Sequence, residues 1–75
     1  MPASFAMNAA FRQNVLRILG EKSLRRVDLA QRLGVGQGYV TKLLSEGYNP
    51  SLETLEKVAT ALEVDPSKLL EASAA

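Results

Sequence analysis

The sequence predicts an all-α fold of five short helices, and three observations lead there. Apolar residues recur at helical spacing in successive segments, no stretch alternates apolar and polar residues as a half-buried strand does, and caps or helix stops fall between the segments. With no internal repeat and 75 residues, the chain has room for one domain, and a domain of this size buries only about 60% of the surface of its unfolded form. Self-association is the expected support for so small a core, because there is no Cys for a disulfide and no His or Cys for a usual metal site.

The elements follow in order. Phe11, Val15, Ile18 and Leu19 share one face, so a first amphipathic helix is expected from Asn8, as N-cap, to about Lys22. Residues 1–7 are uncharged and Ala-containing and read as a flexible leader, with a dimer-packing arm as the alternative. Val27, Leu29, Ala30 and Leu33 define a short second helix that stops at Gly34, a residue free to take the left-handed conformation that closes a helix. Gly34-Val35-Gly36 then permits a tight turn, and Val40, Leu43 and Leu44 give the buried stripe of a third helix, capped by Gly36 and running from Gln37 to about Ser45. Two short helices joined by a Gly-containing turn form a helix-turn-helix, whose second member turns Gln37, Gly38, Thr41 and Lys42 outward.

Beyond the turn formers Glu46 to Pro50, Ser51 caps a fourth helix with Leu52, Leu55, Val58, Ala59 and Leu62 on one side. Asp65-Pro66, a cap followed by proline at the first helical position, opens a fifth helix with Leu69 and Leu70 facing inward. The domain is expected over residues 8–72, with 73–75 as a loose end.

Composition removes most chemistry. Without Cys or His there is neither a thiolate nucleophile nor an imidazole base, and Glu53 and Glu56 on one helix face read as solvated carboxylates, so no catalytic residue, metal or cofactor is expected. No apolar stretch approaches the roughly 18 residues that span a bilayer, and the first ten residues lack the basic start and apolar run of a signal peptide, so a cytosolic protein is expected. The net charge of +1 hides an asymmetry. Residues 8–45 carry seven basic side chains against Glu21 and Asp28, whereas residues 46–75 carry Lys57 and Lys68 against six acidic ones. The first part suits a polyanion, although the same pattern also serves solubility.

Leu29-Ala30, Leu33-Gly34-Val35, Val40-Thr41-Lys42-Leu43 and Asn49-Pro50-Ser51-Leu52-Glu53-Thr54-Leu55, followed by Ala59, Ala61-Leu62 and Val64, together resemble the lambda-repressor-like (XRE, Cro-type) helix-turn-helix family over residues 11–71. The resemblance implies a five-helix bundle and a transcriptional regulator, in most cases a repressor, that binds a palindromic double-stranded DNA operator as a homodimer. It implies base reading by Gln37, Gly38, Thr41 and Lys42. Contacts to the DNA backbone would come from Arg25, Arg26, Tyr39, Ser45, Tyr48 and Asn49, with Tyr39 alternatively packed on the second helix. Leu69 and Leu70 are the expected dimer contact, or else complete the core. The other class open to the fold is an antitoxin or adaptor whose partner is a toxin or another protein.

Three positions depart from the family pattern. Arg25-Arg26 replaces a usual Thr-Gln pair, either drawing a phosphate to the second helix or pointing into water from a helix that begins earlier, at Ser23. The glycine of the loop after the third helix stands one position later, as Gly47. Gly38 lies inside the third helix, where glycine costs about 0.5–1 kcal/mol relative to Ala. Two readings stand for it: tolerance in a first turn, or close approach of bare backbone to a groove.

Overall fold

The computed structural model describes the backbone of residues 3–71 and the side chains of residues 10–71. Among the described residues four α-helices follow in order: α1 Ala3–Glu21, α2 Arg26–Leu33, α3 Gln37–Leu43 and α4 Leu52–Leu62, with a 3₁₀ turn at Pro66–Leu69. The expected fifth α-helix is therefore corrected to that 3₁₀ turn. Its hydrogen bonds close over three residues, Lys68 N–H to the Asp65 carbonyl at 2.9 Å and Leu70 N–H to the Ser67 carbonyl at 3.1 Å, the pattern short segments adopt. Asp65 still caps it, its Oδ1 accepting from the Ser67 N–H at 2.9 Å, and Pro66 occupies the first position.

The start of α1 is also corrected. The helix begins at Ala3, so Asn8 lies within it rather than capping it, and most of the stretch assigned to a leader has helical backbone. Nothing between Ala3 and Asn8 breaks a helix, and the Ala residues there are strong helix formers. Residues 72–75, including the expected loose end at 73–75, lie outside the described residues, as do residues 1 and 2.

The helix stops behave as the glycine pattern predicts. Gly34 takes φ +73°, and its N–H and that of Val35 reach back to Gln31 and Ala30 carbonyls, closing α2 and starting the turn to α3. Ser23, at φ +55°, stands outside the helix, which places the start of α2 at Arg26 and sets aside the earlier one. Ser51 caps α4, its Oγ accepting from the Thr54 N–H at 3.2 Å. At the other end of α4, Glu63 adopts φ +59° without being glycine, and Arg32 Nη1 donates to the Ala61 carbonyl at 2.9 Å.

The core forms from one face of every element. Phe11, Val15, Ile18 and Leu19 of α1 meet Leu29 and Ala30 of α2, Val40, Leu43 and Leu44 around α3, and Leu55, Val58, Ala59 and Leu62 of α4, with Leu69 closing one end. Two leucines depart from the expected pattern. Leu52 is 72% exposed, because the apolar stripe of α4 runs off the core at the helix's first residue, about 4.5 Å along the axis from Leu55. Leu70 is 39% exposed while Leu69 is fully buried, since the tight turn directs consecutive side chains apart. Among the described residues no helix is long and apolar enough to cross a membrane.

Candidate nucleic-acid interface

The turn between α2 and α3 fixes which side chains α3 turns away from the core. α2 packs on α3, and Gly36, with extended backbone at φ −80°, forms the N-cap of α3 as expected. Val40 and Leu43 face inward, 0% and 1% exposed, so they set the rotation of the helix about its axis. At about 100° per residue, Gln37, Thr41, Gly38 and Lys42 then fall on one continuous arc of about 140°. All four are exposed, and Tyr39, 41% exposed, sits at the edge of that arc beside buried Leu43. The helix ends at Leu43 rather than near Ser45, and Ser45 Oγ donates to the Lys42 carbonyl at 2.7 Å. Ser45 is thereby partly committed to ending the helix.

Gly38 is unconfined. A Cβ built there meets nothing within 4 Å, and the residue has no positive φ that would demand glycine. Nothing inside the described chain therefore requires its missing side chain.

The flanking candidates are placed unequally. Asn49 is exposed, whereas Tyr48 is half-buried with its ring 6.4 Å from that of Phe11. Gly47, at φ +81°, turns the loop between them and α3. At the start of α2, Arg25 occupies the N-cap and Arg26 the first helical position. Asp28 answers both the helix start and the charge beside it: its Oδ2 accepts from the Arg25 N–H at 2.8 Å and lies 3.3 Å from Arg25 Nε. That backbone hydrogen bond, followed by the Arg25 side chain, holds the Asp28 carboxyl below its ordinary range. Arg26, by contrast, is exposed and forms no ion pair among the described residues, and the same is true of Lys42. The two are uncompensated cations on adjacent helices.

Leu69, named from sequence as a dimer contact, offers no surface; Leu70 does. Two residues that brace the candidate site escaped the sequence reading. Asp28, three residues past the N-cap, carries a legible signal, the acidic partner of a capping box. Arg12 does not: its Nε donates to the Leu44 carbonyl at 2.8 Å across 32 residues, a pairing no local pattern announces.

Comparison with known proteins places this arrangement among relatives. A helix-turn-helix family model matches residues 16–69. The chain is 36% identical over 58 residues to the immunity repressor protein of Bacillus phage phi105, an alignment covering 77% of the chain and 40% of that repressor, so the chain spans less than half its relative's length. Among solved structures, the hypothetical transcription factor NHTF from Neisseria superposes with a TM-score of 0.81 at 26% identity, covering 96% of this chain and 83% of that one. The restriction-modification controller protein C.AhdI from Aeromonas hydrophila superposes with a TM-score of 0.72 at 29% identity, covering 91% and 98%.

Proposed function

The chain belongs to the helix-turn-helix family, of the lambda-repressor-like type, and from that premise we propose that it is a DNA-binding transcriptional regulator, a repressor acting as a dimer on a palindromic operator. The observation that carries the proposal is the arc of α3, where Gln37, Gly38, Thr41 and Lys42 are exposed on a helix whose opposite face is locked into the core. A phage immunity repressor among its relatives, and a hypothetical transcription factor and a restriction-modification controller protein among its structural neighbours, support the same reading.

In this mechanism α3 enters the major groove. Gln37 presents both an amide donor and a carbonyl acceptor, the pair that matches adenine, and Lys42 donates to guanine, each contact contributing about 1–3 kcal/mol of discrimination. Arg26, with Arg25, Tyr39, Ser45, Tyr48 and Asn49 around it, takes phosphates and sets the register without reading sequence. One such domain supplies few base contacts, so two copies on half-sites about 34 Å apart are required for a tight complex. Leu70 is the residue of the C-terminal turn available for the contact between them; Leu69 belongs to each copy's own core.

Duplex binding across salt concentration tests the assignment, because each neutralised phosphate contributes a slope of about −0.9 in log affinity against log salt. Arg26→Ala is expected to weaken all duplexes alike and reduce the slope by about one, whereas Lys42→Ala changes base preference. If both variants bind as the parent does, the assignment of these residues to the DNA contact is wrong.

A further inference from the structure

We propose that Arg12 is a positioning residue for α3: by holding the Leu44 carbonyl it fixes the angle at which the helix presents Gln37, Thr41 and Lys42 to duplex DNA. The inference rests on the DNA-reading role proposed above.

α3 has seven residues and is about 10 Å long, too short to hold its own direction, so its two ends set its angle. The first end is fixed by the turn, where Gly34 and Val35 hydrogen-bond back onto α2. At the second end the last carbonyls have no partner inside the helix and must find one outside it. Ser45 Oγ takes the Lys42 carbonyl locally. The Leu44 carbonyl is taken by Arg12 Nε, at 2.8 Å, from the middle of α1.

This bond has the chemistry of a tether. A guanidinium at a helix C-terminus meets the negative end of the dipole, and a charged donor makes a shorter and stronger hydrogen bond than a neutral one. Arg12 is half-buried, which reduces screening by salt. The residue before it, Phe11, packs its ring against Tyr48, so neighbouring positions of α1 hold both the end of α3 and the loop beyond it. Arg12 belongs by composition to the basic half of the chain and by charge alone would be assigned to phosphate. Its Nε instead faces a carbonyl of its own chain.

Substitution at this position separates the roles. Gln places its side-chain nitrogen where Arg has Nε but carries no charge, and Met keeps the apolar stem with no donor. A duplex selected from a random pool by the parent protein, together with its single-base-pair variants, is titrated with the parent, Arg12→Met and Arg12→Gln at several salt concentrations, well below each protein's melting temperature. Arg12→Met is expected to lower the preference for the selected duplex by about fivefold or more, the low end of what one base contact supplies. Arg12→Gln restores most of that preference, and neither variant changes the salt slope. A slope shallower by about one in both variants makes Arg12 a phosphate ligand and overturns the proposal. So does an Arg12→Met protein that melts lower yet discriminates as the parent does, since the bond then only stabilises. Should Arg12→Met fail to fold, Arg12→Leu, which also lacks a donor, takes its place beside Arg12→Gln: preference lost in Leu and kept in Gln at unchanged slope supports the tether, and equal preference in the two or a shallower slope overturns it. A parent with no preference among duplexes removes the DNA-reading role itself, and this inference with it.

Discussion

Gly38 is the residue at which folding and the proposed binding can be measured against each other. It lies in the first turn of α3 with open space where a Cβ would stand, so packing does not explain it. Gly38→Ala is expected to raise the stability of the free protein by about 0.5–1 kcal/mol, the ordinary difference between the two residues in a helix. The same methyl group stands on the exposed arc between Gln37 and Tyr39, where it holds the helix away from a base edge, so affinity for a selected duplex should fall. Denaturant unfolding and duplex titration on the same sample check both signs. A variant that is more stable and binds undiminished returns Gly38 to mere tolerance. Sequence alone left these two readings even, because an absent side chain leaves no pattern, and the open space around the residue removes only a packing reason within the described chain.

At the scale of elements, the start of α2 gathers two cations where the helix dipole is positive, an arrangement that is unfavourable in isolation. Asp28 offsets it by accepting from the Arg25 N–H and pairing with the Arg25 side chain. Because the folded-state pKa of Asp28 is lowered, its stabilising effect is present above the unfolded pKa of about 3.9 and is lost as pH falls through the lower folded value. The stability gap between the parent and Asp28→Ala should therefore be open at neutral pH and close on acidification below the usual Asp range. Chemical denaturation at a series of pH values measures it, and a gap independent of pH would mean that the charge is idle. Stops such as Gly34 and caps such as Ser51 were legible because they act within four residues of themselves. The start of α1 was not, since Asn8 has the chemistry of a cap but is preceded by residues that continue a helix equally well.

Across the whole molecule, the C-terminal turn is clasped to the first helix. Asn14, 1% exposed on the apolar face of α1, donates its Nδ2 to the Glu71 carbonyl at 2.8 Å. The Glu71 carboxylate lies 3.8 Å from Arg17 and 3.2 Å from Lys68. Those exposed ion pairs are individually weak, so the buried amide is the stronger contact. Asn14→Ala is expected to lower the unfolding free energy by about 1–3 kcal/mol, read from denaturant midpoints; a neutral outcome would show that the clasp contributes nothing. From residue order alone came the helical class, the turn at Gly34 to Gly36, the caps at Ser51 and Asp65, and the outward arc of α3, because each depends on backbone preference or on apolar spacing within a few neighbours. Only the tertiary structure decided that Leu69 is core while Leu52 and Leu70 reach solvent, that Asn14 holds Glu71, and that Arg12 reaches Leu44. These pairings join residues far apart in the chain, and burial belongs to whichever surface the rest of the fold brings to cover it.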